Sequence, residues 1–497
     1  MQGSSIIRNT SSLFIAQIAG RALSFVLTII LPQYFKGGFD DLGKYFFALW
    51  LAYLLIAFMD LGLHTPLIRE VAADRSKASQ MISNALVIRL ILSLINFLII
   101  VILVKFIYSG EMAPLIYLVG IAEIINALAR LLRCIYRSFE RMGYEAIVVL
   151  LERFAVFSLG LYVVIRGYGV VGFCWVVLSA SILNLVLSFL IMRWKFSRLN
   201  FSLLDVKVCT YLLKQALPFA LGGALSMVYF RIDGLMLKHI MGAEGNAAMG
   251  WYGTGYNFIT TLAVIPGVFM GAVFPVMSRM FKTSPAAMNF LYTKSLKLMF
   301  MIALPIAVGV TFMADNIVLI LYPLEMGNFT IQDQEALSRI LEILIWGGAL
   351  IFFGLVLSTV LRAANKGRVF LTTMAIAVAA NIGSNLILIP RYGHLAPPMS
   401  IIISESIFFI CGLWYVQRHV CKLSELGFIF KTAFASGFLA LGLIIWKYAG
   451  FSESVHIALV VCLSIVAYLA IMLALRGINR EDIAMIKGQY PGVKIGD

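Results

Sequence analysis

Apolar runs of about 20 residues, each closed by charged or turn-forming residues, recur along the whole sequence, and a water-soluble core has no use for them. They fall near residues 11–32, 43–63, 82–104, 113–133, 146–165, 169–192, 214–237, 251–278, 295–314, 338–361, 369–390, 395–416, 428–447 and 455–475. The runs predict an all-α polytopic membrane protein with about 14 transmembrane helices. Composition agrees, because 61% of the 497 residues are hydrophobic and 13% are charged, whereas soluble domains are about 45–50% apolar and about 25% charged. The first run carries Arg21 at its middle and is long enough to span, so it reads as a first helix rather than a cleaved leader.

The charges orient these helices. Of 39 Lys and Arg, 27 fall on the side of the N-terminus, including Arg69, Arg130, Arg133, Arg137, Lys294, Lys297, Arg480, Lys487 and Lys494. Only 7 fall opposite: Lys36, Lys44, Lys105, Arg166, Lys238, Arg391 and Lys447. Cytoplasmic loops retain basic residues, so both termini are expected in the cytoplasm. The net charge of +15 is then mainly topology and attraction to anionic lipids, and no nucleic-acid partner is expected. The other five basic residues, Arg21, Arg89, Arg153, Arg231 and Arg339, lie inside the runs.

Several function classes drop out. The longest outward segment, from about Asp315 to Leu337, is acidic (Asp315, Glu325, Asp333, Glu335) and too short for the aqueous domain of a membrane glycosyltransferase or polymerase. No GxxxxGK[ST] phosphate-binding loop occurs, and the glycine pairs Gly222-Gly223 and Gly347-Gly348 sit within apolar runs, where glycine serves close helix packing. The six cysteines lack CxxC spacing and the five histidines form no i, i+4 pair, so neither a metal nor a cofactor is expected.

The two halves resemble each other. Leu42-Gly43-Lys44-Tyr45 matches Met249-Gly250-Trp251-Tyr252, TPLIREVA matches FPVMSRMF, and YRSFERMG matches LRAANKGR, in the same order. Corresponding runs enter from the same side, which predicts parallel repeats about an axis along the membrane normal. The expected organisation is two pseudo-symmetric six-helix lobes, 1–208 and 209–420, with two extra helices and a tail in 421–497. The paired glycines and tyrosines read as interfacial turns and aromatic belts.

Intramembrane charge marks the candidate site, since a charge at a helix centre costs about 2.5–3.5 kcal/mol on insertion scales and is kept for a cavity or a partner. Arg21 lies about 15 Å from either end of its run, too deep to snorkel easily. Arg231 and Asp233 occupy the matching run of the second half and, at i and i+2, point to different faces. Arg153 and Arg89 complete the substrate-binding candidates: Arg153, beside Glu152 and fairly near the cytoplasm, fits an interfacial role as well as a cavity one, and Arg89, about 10 Å from its cytoplasmic end, suits snorkelling. Glu123 and Glu405, mid-run with no basic neighbour on their own helices, are candidates for proton or ion coupling, with interhelical hydrogen bonding as the alternative. Arginines in a low-dielectric vestibule suit a phosphate, whose oxygens match the guanidinium fork. Arg21 and Arg231 would face it from opposite lobes.

The stretches NTSSLFIAQIAGRALSFVLTIILPQYF, LPFALGGALSMVYFRIDGLMLKHIMG, FPVMSRMF and NIGSNLILIPRYGHLAPPMSIIISE resemble the polysaccharide transporter family, the Wzx-type flippases grouped with multidrug and toxin extruders and lipid II flippases. The resemblance covers nearly the whole chain and departs at YGHLAPPMS, where Pro397-Pro398 replaces small residues. It implies a non-enzymatic, monomeric flippase of a prokaryotic cytoplasmic membrane. Such a protein moves polyprenyl-(pyro)phosphate-linked oligosaccharide to the outer leaflet by alternating access. Its implied partners are the lipid-linked glycan, membrane lipids, and polysaccharide polymerase or glycosyltransferase proteins. The alternatives are an organic-cation antiporter, for which acidic cavity residues would fit better, and a lipid II flippase.

Overall fold

A computed structural model of the chain describes residues 2–324, 327–448, 454–479 and 482; Glu325, Arg480, Lys487 and Lys494 lie outside the described residues. Sixteen α-helices and four short 3-10 helices carry the described residues, with no strand among them. The first eight are α1 (Gln2–Tyr34), α2 (Phe39–Asp60), α3 (His64–Ala73), α4 (Ala78–Phe106), α5 (Met112–Ser138), α6 (Met142–Ile165), α7 (Gly169–Lys195) and α8 (Val206–Met241). The next eight are α9 (Gly245–Leu262), α10 (Val264–Thr283), α11 (Pro285–Leu321), α12 (Ile331–Ala363), α13 (Gly367–Tyr392), α14 (Ala396–His419), α15 (Gly427–Tyr448) and α16 (Ser454–Ala474).

Ten stretches are long and apolar enough to cross a membrane, and two of them, Phe219–Thr283 and Gly367–His419, run to 65 and 53 residues and hold two spans each. With α2 and α16 added, the fourteen expected spans are accounted for.

Two of the spans are interrupted. After Asp60 the chain turns through Leu61 (φ 46°) and Gly62 (φ 65°), ending α2 and starting the short α3, which buries Pro66, Leu67 and Val71. A Cβ on Gly62 would lie 2.6 Å from Cβ of Phe219 on α8, so both the dihedral and the close approach require glycine. The eighth span breaks at Ala263, because Pro266 has no N–H to offer the Leu262 carbonyl.

By contact the chain divides into two compact units, Met1–Gly253 and Thr254–Asp497. In the first, α5 and α6 both pack on α7, α1 lies on α6, and α2 packs on α5 and α8. In the second, α12 and α13 both pack on α14, repeating the α5–α6–α7 trio in the same order, and α11 packs on α12 and α15. α8, which opens the second half of the sequence repeat, packs on α2 and α3 of the first unit, so Arg21 and Arg231 share that unit.

The matched glycines are not interfacial turns, as the sequence suggested. They are the point where α2 crosses α9. A Cβ on Gly43 would overlap the carbonyl of Asn246 and the backbone nitrogen of Gly250, and one on Gly250 would overlap the carbonyl of Phe39. Each glycine thus faces the carbonyl four residues before the other, as a local two-fold between the matching segments requires.

Pro397 and Pro398, the departure noted above, stand in the first turn of α14, where the missing N–H groups would have had no helical partner. At α12 a capping box closes the start: Asp333 N–H donates to Thr330 Oγ1 (3.2 Å), and Thr330 N–H donates to Asp333 Oδ2 (2.9 Å). Thr330→Ala is expected to cost about 1 kcal/mol, read as a lower thermal midpoint of the purified protein; an unchanged midpoint would show that the cap is dispensable.

Candidate functional site

Tyr53, on α2 of the first unit, lies within electrostatic reach of a cluster of charges. Its electrostatic neighbours are Glu123 and Arg130 of α5, Arg153 of α6 and Arg231 of α8. The Arg231 guanidinium lies over the Trp50 ring at 4.8 Å and the Tyr53 ring at 5.3 Å, cation–π contacts that hold the charge on an aromatic floor. Trp50 and Tyr53 stand i, i+3 on one face of α2, so a single helix supplies that floor.

Asp233, two residues on, takes a different partner. It is buried, 1% exposed, and accepts a hydrogen bond from Tyr252 Oη at 2.9 Å. Tyr252 meets Trp50 edge-on, with ring centroids 5.8 Å apart. Arg231 therefore contacts the floor from above while Asp233 braces it from behind.

Glu152 and Arg153 divide in the same way. Glu152 is buried and accepts from Asn184 Nδ2 of α7 at 2.8 Å. Arg153 is left uncovered by other helices although it lies about 16 Å from the start of α6. Its charged and phenolic neighbours are Glu152, Tyr53, Glu123 and Tyr45. Its side-chain stem crosses α1 at Gly20, beside the exposed Arg21. Arg21, Arg153 and Arg231 therefore project from three helices of one unit.

The remaining candidates are placed differently. Arg89 does not snorkel: it is 2% exposed and holds Asp60, Nη1 to Oδ1 at 2.8 Å, where α2 ends, with His64 Nδ1 3.4 Å from the same oxygen. The turn at Leu61 brings that carboxylate within reach. Glu123 does have a basic neighbour on its own helix, Arg130, two turns away at 3.6 Å, and it also accepts from Asn126 Nδ2 at 3.2 Å. Glu405 is buried on α14 in the second unit, with its carboxylate against Gly354 of α12.

One functional feature escaped the sequence reading. Arg133, counted among the loop charges, is 5% exposed within α5–α7. It donates to Asn184 Oδ1 at 2.5 Å and Ser188 Oγ at 3.4 Å and lies 3.7 Å from the Glu145 carboxylate. Asn184 also donates to Asn126 Oδ1 at 3.1 Å, and Arg137 forks onto Glu145 with two 2.7 Å bonds. The signal lay in α5 itself, where Glu123, Asn126, Arg130, Arg133 and Arg137 recur at intervals of three and four and so form one stripe.

Residues 6–281 match the model of the family described as "Polysaccharide biosynthesis protein". The chain belongs to that family. No curated protein sequence matches significantly. Among solved structures, the chain is similar to an inward closed conformation of the lipid II flippase MurJ, with TM-score 0.74, 17% identity and coverage of 93% of this chain and 98% of that one. It is also similar to inward-facing and outward-facing conformations of a MATE-family multidrug resistance transporter of the MOP superfamily. The inward-facing match has TM-score 0.66 and 16% identity over 83% of this chain and 98% of that one. The outward-facing match has TM-score 0.59 and 17% identity over 83% and 95%. At these identities the likeness shows the fold. Family, fold and apolar helices together make the chain a polytopic member of the polysaccharide biosynthesis family with the fold shared by these structures.

Proposed function

We propose that the chain flips polyprenyl-(pyro)phosphate-linked oligosaccharides from the cytoplasmic to the outer leaflet of a prokaryotic cytoplasmic membrane by alternating access. The observation that carries this reading is the gathering of Arg130, Arg153 and Arg231 around Tyr53 in a member of a polysaccharide biosynthesis family. Guanidiniums bind phosphate oxygens bidentately, and a site shielded from bulk water strengthens the attraction. Arg21, Arg153 and Arg231 are the residues assigned to the head group; Asp233 and Arg89 hold the helices that present it. The repeats 1–208 and 209–420 form the two halves, with 421–497 appended. The 27-to-7 distribution of basic residues puts both termini in the cytoplasm. Glu123, paired with Arg130 and close to Arg153, is assigned to ion coupling together with Glu405.

An organic-cation antiporter would need carboxylates on the open side of the cluster. Glu152 is instead buried and bonded to Asn184 of α7, and Glu123 is buried and already paired with Arg130.

Depletion in the host should leave the lipid-linked sugar on the cytoplasmic leaflet. Charge-assisted hydrogen bonds are worth about 1.5–3 kcal/mol each, so Arg21→Ala with Arg231→Ala is expected to slow flipping roughly 100-fold. Unchanged flipping by a stably inserted double variant would refute the cationic mechanism.

A further inference from the structure

The segment joining α7 to α8 is a fixed shelf with two dissimilar faces. Its inner face, Phe196, Leu199, Val208 and Cys209, packs on the core cluster that contains Tyr136 and Met192. The Phe196 ring lies 5.1 Å from Tyr136 and 5.5 Å from Tyr144. Its backbone is pinned to α4. Ser79 Oγ donates to the Arg198 carbonyl (2.8 Å), the Asn200 N–H donates to Ser83 Oγ (2.9 Å), and Asn84 bonds both the Leu203 carbonyl (3.0 Å) and the Asp205 N–H (2.9 Å).

The outer face exposes Trp194, Phe201, Leu203, Leu204 and Val206, with Val206 80% exposed. Interspersed with them are exposed Arg193, Lys195, Arg198 and Lys207. The acidic residue of the segment, Asp205, turns its carboxylate to the Lys207 N–H at 2.7 Å to start α8. Water disfavours so many clustered large apolar side chains, and the hydrocarbon core disfavours the four cations. The headgroup layer accepts both, with apolar groups dipping toward the acyl chains and basic groups meeting phosphates. The shelf directly continues the apolar stretch of α7, which ends at Lys195, as expected of a segment at that depth.

We propose that the outer face of residues 193–207 is a binding surface for anionic phospholipid, seating the connection between α7 and α8 in the headgroup layer. The surface is separate from the Tyr53 cluster and independent of which substrate is flipped.

The test is lipid retention by the full chain extracted from nanodiscs of mixed phosphatidylglycerol and phosphatidylcholine, read by native mass spectrometry. Wild type is expected to retain phosphatidylglycerol about tenfold over its share of the bilayer, since each surface basic residue adds to the attraction. The variant Arg193→Gln, Lys195→Gln, Arg198→Gln, Lys207→Gln should lose that enrichment while keeping its thermal midpoint in detergent. Each pair neutralised separately should give an intermediate value and serves where the fourfold variant does not purify. A control, Arg418→Gln with Lys422→Gln at the end of α14, should retain the enrichment. Equal retention of the two lipids by wild type would overturn the proposal. So would unchanged enrichment in the neutralised variants, or the same loss in the control.

Discussion

Gly43→Ala and Gly250→Ala are each expected to cost the fold about 3 kcal/mol, at the upper end of overpacking effects. In most crowded sites a flexible side chain can move aside. Here the obstacles are the main chains of Asn246, Gly250 and Phe39, within helices that would have to shift bodily. Small residues allow such backbone approach between membrane helices, and a single methyl group forces them apart. The loss should appear as a lower yield of monodisperse protein and a lower midpoint on heating followed by size exclusion. Because both glycines serve one crossing, the double variant should cost clearly less than the sum of the singles. Additive losses would mean that the two positions act separately, and a wild-type midpoint for either single variant would remove the crossing as a structural requirement.

How much of this was visible beforehand depended on whether a feature was local. Each span announced itself by an apolar run about as long as a membrane is thick, and the helix bounds follow those runs closely. The interruption after Asp60 did not, because it turns on left-handed dihedrals at Leu61 and Gly62 that no apolar pattern encodes. Gly43 and Gly250 were matched as a pair from the sequence alone, but their role was misread, since only packing shows that a glycine faces another main chain.

The site behaved the same way. Depth picked out Arg21, the internal repeat picked out Arg231 and Asp233, and Arg153 showed only as a charge inside an apolar run. The division of labour within Glu152–Arg153 and Arg231–Asp233 needed the neighbouring helices, because α7 supplies Asn184 and α9 supplies Tyr252. Arg133 was hidden by its company: with Arg130, Arg137 and Arg141 nearby it looked like a cytoplasmic charge, while the groups that accept its protons lie more than fifty positions along the chain.

The same contrast makes the second large effect predictable. Arg133→Ala should destabilise the protein by about 3–5 kcal/mol, the usual cost of removing one member of a buried ionic network. The substitution strips a charged donor from Asn184 Oδ1 and Ser188 Oγ and leaves Glu145 without its neighbour on the inner side. Asn184, which also holds Glu152 and Asn126, loses the contact that fixes its orientation. Arg153→Ala should behave in the opposite way. Its side chain is exposed, and the buried Glu152 and Glu123 keep their own hydrogen bonds to Asn184 and Asn126, so the thermal midpoint should stay near wild type while the proposed flipping falls. Measuring both properties on both variants separates the α5–α7 seam, which holds the helices, from the face proposed to meet the substrate. A wild-type midpoint for Arg133→Ala would show that the seam is not load-sharing. A midpoint for Arg153→Ala as low as that of Arg133→Ala would assign Arg153 to the scaffold and leave Arg21 and Arg231 as the substrate-facing cations.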